Sequence, residues 1–172
     1  MKPHHITQGF NGNHQALDIV GSYGTPLCAP ENCLVLGIRG DSFTPDNTSN
    51  LKYGYGIRLK GLETGKEYLF WHCLPYFPVW GGDTVKRGSI VAFMGNSGYV
   101  LVGGKEVRVD ERLSPGKPGS HLHIEMFEDR NGEELKVNPL PIINWSWEPQ
   151  WTKTDFIKAI MVCLSKMLRA VK

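Results

Sequence analysis

Charge of one sign is scarce in this chain. Its 19 Lys and Arg against 17 Asp and Glu leave a net charge of +2, too little to attract a polyanion, and no aromatic-basic motif of an RNA- or DNA-binding module accompanies it. Nucleic acid is excluded as the partner. The N-terminus, Met1-Lys2-Pro3-His4-His5, runs into polar, Gly-rich sequence and lacks the apolar stretch of a signal peptide or membrane span. However the protein reaches its site of action, the expectation is that it does so without a signal peptide of its own. Cysteine is sparse, at Cys28, Cys33, Cys73 and Cys163, and the absence of any C-x-x-C argues against a zinc ribbon. Cys28 and Cys33 have two readings, a pair across a tight turn or free thiols in a reducing compartment.

Glycine (20) and proline (11) are plentiful, which favours many turns between short strands. A length of 172 residues fits one domain, or a domain with a short appendage, and is ample for a hydrophobic core. The expected fold class is mostly β.

The most informative stretch is Gly119-Ser120-His121-Leu122-His123-Ile124-Glu125. As a strand it puts His121 and His123 on one face and turns Leu122 and Ile124 the other way, into a core. Such a pair can supply one metal ligand and one free base beside an open coordination position, or it can be two ordinary polar strand residues. Upstream, the loop 8–13 delivers His14-Gln15-Ala16-Leu17-Asp18. On a straight strand, residues four apart are separated by about 13 Å, so joint ligation by His14 and Asp18 requires the chain to turn between them. Their other reading is a solvated histidine and a turn-capping aspartate.

Thr25–Ala29 and Leu34–Ile38 read as a hairpin across Pro30-Glu31-Asn32. The segment Asp41–Asn50 reads as an exposed loop. Tyr55–Lys60 and Tyr68–Cys73 read as strands joined at Glu63-Thr64-Gly65, with His72 at a strand end, where scaffolds commonly present reactive side chains. Ile90–Met94 reads as a buried strand followed by the turn Gly95-Asn96-Ser97-Gly98. The long connection Tyr99–Ser120 either borders a functional cleft or is an inserted hairpin.

Near the end, Trp145, Trp147 and Trp151 either dock a sugar or peptide or fasten a tail to the core. An amphipathic helix starts at Thr154-Asp155. Its stripe is Ile157, Ile160, Met161, Leu164, Leu168 and Val171, with Lys158, Lys166 and Arg169 opposite. The stripe is expected to pack on its own domain or on a protein partner, and the basic character also admits a membrane-surface contact. The expected organisation is a main domain over 1–144 and a Trp-rich connection with a basic helix over 145–172.

In order, these motifs are His14-x-x-x-Asp18, His72 at a strand end, Gly82-Asp83-Thr84-Val85-Lys86-Arg87-Gly88, Gly95-Asn96-Ser97-Gly98 and Gly119-Ser120-His121-Leu122-His123. Together they resemble the lysostaphin-like zinc endopeptidases of peptidoglycan, the M23 or LytM-type family, over about residues 8–125. The resemblance implies an antiparallel β sandwich with one zinc ion per chain held by His14, Asp18 and His123, and His72 and His121 as the catalytic pair; which of the two is the general base stays open. It implies hydrolysis of peptide cross-links in bacterial cell wall outside the cytoplasmic membrane. The missing signal peptide, the small size and the lack of a recognisable wall-binding module then lead to the expectation of a phage-type lysis enzyme or virion-borne wall hydrolase, made in the cytosol and released by lysis, virion delivery or another export route. A non-catalytic wall-binding or scaffold member, and a zinc peptidase acting on protein, are the alternatives.

Departures from the family pattern are Ala16 in place of a usual Gly, Phe70 in place of a usual Tyr and Cys33 in place of a usual turn Gly; 41–52 and 99–120 are also longer. With thirteen residues before His14, no inhibitory pro-region is expected, and the enzyme is expected to need no processing.

Overall fold

A computed structural model describes residues 5–39, 53–108, 111, 115, 116, 118–142 and 152–170. The exposed loop expected at 41–50, the three tryptophans and Val171 lie outside them.

The elements in chain order are β1 (His5–Gln8), β2 (Leu17–Val20), β3 (Pro26–Cys28), β4 (Cys33–Arg39), β5 (Tyr55–Gly61), β6 (Glu67–Cys73), β7 (Thr84–Val85), β8 (Ile90–Phe93), β9 (Leu101–Val102), β10 (Lys105–Glu106), β11 (His121–Arg130), β12 (Glu133–Val137) and α1 (Lys153–Ala170). One antiparallel sheet runs β1-β2-β11-β6-β5-β4-β7, with β12 added to the far end of β11. β3 and β8 form a second, two-stranded sheet, and β9 and β10 a third. The expectation of a mostly β chain with one C-terminal helix is met.

Period-two alternation makes the core. Leu122, Ile124 and Met126 of β11 join Leu17 and Ile19 of β2, Ile57 and Leu59 of β5 and Tyr68 and Phe70 of β6 in a single buried cluster. The opposite face of β11 is thereby left for His121, His123 and Glu125. Asn131-Gly132 closes the β11–β12 hairpin, with Arg130 paired to Glu133 and both turn residues at positive φ, 60° and 85°. Asn-Gly takes the left-handed conformation that a two-residue turn of this hand requires.

The hairpin expected between 25–29 and 34–38 does not form. β3 pairs with β8 instead, Leu27 opposite Ala92, and β4 pairs with β5 and β7. The cause is Glu31, which is buried in the supposed turn. Its carboxylate accepts hydrogen bonds from the amides of Glu63 (2.8 Å) and Thr64 (3.1 Å) and from the hydroxyls of Thr64 (2.6 Å) and Tyr68 (2.6 Å). A carboxylate so held satisfies the β5–β6 turn and draws the chain across from one sheet to the other.

α1 begins one residue before the expected Thr154. Thr152 caps it, the Thr152 amide and hydroxyl donating to Asp155 Oδ2 while the Asp155 amide donates to Thr152 Oγ1, a reciprocal capping box. The face that docks is not the expected stripe. Ile157, Ile160, Met161, Leu164 and Leu168 are exposed, Met161 at 60% and Leu168 at 72%. Contact with the domain comes from Ala159, which packs on Ile90 and Phe93, from Phe156 against Phe93 at 6.3 Å, and from Lys166. Lys166, expected on the solvent side, is 1% exposed; its Nζ donates to the Val79 carbonyl at 2.9 Å and sits 4.0 Å from the centre of the Trp80 ring. A small alanine permits close approach, and a cation over an aromatic ring with a carbonyl acceptor offsets the loss of water. No helix among the described residues is long and apolar enough to cross a membrane.

Candidate active site

Three neighbouring strands and one loop converge on the cleft. β2 and β11 are antiparallel neighbours with His123 directly opposite Asp18, and on its other side β11 pairs His123 with Trp71 of β6. Cross-strand partners face the same way, so Asp18 and His123 meet, and Asp18 Oδ1 lies 2.7 Å from His123 Nδ1. His14 arrives from the preceding loop. Asn11 shapes that loop, its side-chain oxygen accepting from the amides of Asn13 (2.9 Å) and His14 (3.1 Å). The turn required between His14 and Asp18 is present, and His14 Nε2 comes within 3.4 Å of Asp18 Oδ2. Ala16 sits buried in that turn without a left-handed backbone, so the departure from glycine costs nothing. Phe70 points into the core, away from the cleft, and Cys33 takes its place in a strand.

His72 stands at the end of β6 with φ at 59°, a left-handed conformation that a side chain with a Cβ adopts only under constraint. The constraint is visible. The His72 amide donates to Tyr53 O (3.3 Å), its carbonyl accepts from the Gly95 amide (3.0 Å), and its Nδ1 donates to Ser97 O at 2.6 Å. A Cβ at Gly95 would come within 3.0 Å of the His72 carbonyl, so glycine is required there for the close approach. The Ser97 hydroxyl braces the same corner, donating to Cys73 O (2.7 Å) and accepting from the Tyr55 amide (3.0 Å).

A backbone carbonyl can only accept, so each ring nitrogen resting on one must carry the proton. His14 Nδ1 meets Gly9 O (3.2 Å), His72 Nδ1 meets Ser97 O (2.6 Å) and His121 Nδ1 meets Gly119 O (2.8 Å). In their neutral forms all three therefore offer Nε2 as the bare nitrogen. His123 is turned the other way, Nδ1 toward Asp18 and Nε2 toward Glu125.

The five side chains expected to form the site are brought together. Ring centres lie 4.5 Å apart for His72 and His121, 5.8 Å for His72 and His123, and 5.2 Å for His14 and His123. They line a cleft of about 810 Å³ whose outer wall is Tyr99–Gly104 together with Val20 and Tyr53. The connection 99–120 thus answers to both of its readings, since it holds the β9–β10 hairpin and also borders the cleft.

The electrostatics follow from the grouping. Burial alone would raise the Asp18 carboxyl, but the His123 hydrogen bond and the adjoining imidazoles outweigh it and hold Asp18 below the usual range. Burial, with His121 beside it, pushes His72 down to about 3, so this ring is neutral. Burial also opposes charge on His123, yet its contacts with Asp18 and Glu125 raise it to about 9. Glu125, for which burial works in the other direction, is drawn down to about 2 by His123, Lys136 and Trp71.

His14, Asp18 and His123 can each offer one donor atom, all within 4.8 Å of one another. His14 Nε2 is buried without a hydrogen-bond partner among the described residues, because its approach to Asp18 lacks hydrogen-bond alignment. A bare buried imidazole nitrogen is costly unless something binds it, and two imidazoles with a carboxylate are the donor set of an open zinc site. The residues fit such an ion.

Glu125 was given no role from the sequence, although it continues the period-two face of His121 and His123. The Gly9, Ser97 and Gly119 carbonyls left no signal, since any residue supplies one.

No family profile matches the sequence, and no curated protein matches it. Solved structures do. LytU is 24% identical, with 83% of this chain and 86% of that chain covered at a TM-score of 0.58. The catalytic domain of the antimicrobial peptidase lysostaphin from Staphylococcus simulans is 22% identical over 80% of this chain and 90% of that one, with a TM-score of 0.56. A mutant catalytic domain of EnpA, a prophage-encoded M23 protein from Enterococcus faecalis, is 23% identical over 81% and 91%, with a TM-score of 0.53. With strand order and cleft already described, these likenesses lead to one conclusion: the chain has the fold of the lysostaphin-like M23 peptidases.

Proposed function

We propose that this protein is a zinc-dependent endopeptidase of the M23 family that hydrolyses peptide cross-links in bacterial peptidoglycan, acting outside the cytoplasmic membrane. The observation that carries the reading is the donor set: His14, Asp18 and His123 converge beside two further imidazoles, His72 and His121, whose protons are held on Nδ1. Zinc bound there supplies a Lewis acid for the scissile carbonyl and lowers the pKa of water to about 7.

The chain's own residues do the rest. His14 Nε2, a carboxylate oxygen of Asp18 and His123 Nδ1 would hold the ion. His72 and His121 share the proton traffic: the bare Nε2 of one would take the proton of the attacking water and hand it to the leaving amine, while the other, in molecules where it enters with a proton on Nε2, would donate that N–H to the developing oxyanion. Rigidity comes from the carbonyl clamps and from the braced corner at Ser97, which keep both rings aimed before substrate arrives. The wall formed by Tyr99–Gly104 gives the substrate peptide a place to lie.

The test is incubation of the purified protein with cell-wall sacculi and, separately, with a protein substrate, followed by detection of newly exposed amino groups and mass spectrometry of the released fragments. Peptide-bond cleavage in sacculi that a chelator abolishes and zinc restores is the expected result. Cleavage of protein alone points to a protein peptidase, and cleavage of neither to a non-catalytic scaffold.

A further inference from the structure

Among the described residues, His14, His72 and His121 rest Nδ1 on backbone carbonyls, whereas the Nε2 of His123 faces a carboxylate, that of Glu125. Glu125 lies two residues along β11, on the same face by the pleat, and is 7% exposed. Its Oε1 lies 3.8 Å from His123 Nε2 and also accepts from Lys136 Nζ, while its Oε2 accepts from Trp71 Nε1 at 3.3 Å. Trp71 is in turn the cross-strand neighbour of His123. A buried carboxylate is thus fastened at both oxygens, Oε2 by Trp71 and Oε1 by Lys136, and Oε1 is also the oxygen that faces the ring.

We propose that Glu125 is a positioning residue for the metal site: its carboxylate receives the Nε2–H of His123 and so fixes the ring with Nδ1 presented to the metal. The inference rests on the zinc reading above. An imidazole that gives Nδ1 to a cation must keep its remaining proton on Nε2, and here the acceptor facing that position is Glu125. His14 shows the same arrangement in mirror image, with Nδ1–H on the Gly9 carbonyl and Nε2 facing inward. A carboxylate or carbonyl behind a ligating histidine holds the tautomer and raises the basicity of the ligand, and its loss commonly weakens metal binding by about 10- to 100-fold. Lys136 has a different part. It anchors the carboxylate and lies over the Phe127 ring, 5.6 Å from its centre.

The experiment is a zinc titration of the full chain against a chromophoric chelator, for the wild type, Glu125→Gln and Lys136→Met, with melting temperature measured alongside. The wild type should bind one zinc, and Glu125→Gln should still take up one but with a dissociation constant raised about 10- to 100-fold. Lys136→Met, which removes one anchor of the carboxylate but leaves Trp71 on its other oxygen, should melt lower and lose less zinc affinity than Glu125→Gln. Long-range ¹H–¹⁵N spectra of the zinc-loaded wild type should show His123 protonated at Nε2, and Glu125→Gln should speed exchange of that proton with water. Unchanged affinity in Glu125→Gln would overturn the proposal, as would equal loss of affinity in both variants in step with melting temperature, which would make Glu125 a structural strut. A wild type that binds no zinc overturns instead the reading on which the proposal rests.

Discussion

Asp18 and His123 are 105 residues apart in sequence yet directly opposite on β2 and β11, with Asp18 Oδ1 2.7 Å from His123 Nδ1. Register alone produces that meeting. A slip of β11 by one residue would turn His123 into the core and bring Leu122 or Ile124 opposite Asp18, so the packing that buries Leu17, Ile19, Leu122 and Ile124 also holds the proposed metal donors in place.

Two histidines of the cleft should separate by function. His123→Ala should lose both zinc and activity, whereas His72→Ala should keep its zinc and lose turnover by a factor on the order of 10²–10⁴. Metal analysis and product release measured on the same samples check this, and equal zinc loss in both variants would refute the division of roles.

The backbone of His72 carries strain that can be measured. Replacement by Gly removes the left-handed penalty, whereas replacement by Ala keeps it. Both lose the Ser97 contact. His72→Gly should therefore be more stable than His72→Ala by about 1 kcal/mol, as read from urea unfolding; the reverse order would show that the positive φ at this corner is unstrained.

Glu31 should make the fold sensitive to acid. Burial favours its neutral form, but the Thr64 and Tyr68 hydroxyls and the Glu63 and Thr64 amides prevail and hold the carboxyl below its usual value. A carboxyl lowered in the folded state contributes stability above its unfolded pKa, about 4.3, and that contribution is lost as pH falls through the folded value. Glu31→Gln, which places an amide donor among four donors, should cost on the order of 2–3 kcal/mol at neutral pH. It should also flatten the fall in melting temperature below pH 5, and a variant that melts with the wild-type pH profile would exclude this role.

The thiols of Cys28, Cys33 and Cys73 should be inert in the native state. All are free, and burial pushes Cys28 up to about 12, Cys33 up to about 11 and Cys73 well above the ordinary thiol range. A raised pKa leaves little thiolate to attack a reagent. At pH 8, alkylation followed by mass spectrometry should label these three only after denaturation.

Lys166 should fasten α1. Lys166→Ala removes the donor to Val79 O and the cation over Trp80, so amide exchange in α1 should accelerate while β2, β6 and β11 keep their protection. Uniform loss of protection across the sheet would instead make the helix part of the global fold.

Much of the site was legible because strand alternation is a local property of the backbone. His121-x-His123 and the alternating Leu122 and Ile124 announce two faces wherever the strand ends up, and that face extends to Glu125 by the same rule. Turn chemistry is local too, as at Glu63-Thr64-Gly65. What misled was also local in appearance: Pro30-Glu31-Asn32 has the composition of a hairpin turn, but Glu31 is spoken for by donors more than thirty residues away. On α1, period 3.6 marks an apolar stripe without saying that the sheet offers space only for the narrower face of Phe156, Ala159 and Lys166.

The amino-acid sequence by itself determined the residue types, the spacing that puts two imidazoles on one strand face, and the turns that let short strands fold back. The tertiary structure alone decided which nitrogen each histidine presents, that His14 reaches Asp18, and that Glu125 stands behind His123. For His72 the deciding acceptor is the Ser97 carbonyl, 25 residues away, and for His123 the deciding partners are Asp18, 105 residues away, and the Trp71 and Lys136 that hold Glu125; periodicity carries no record of such encounters.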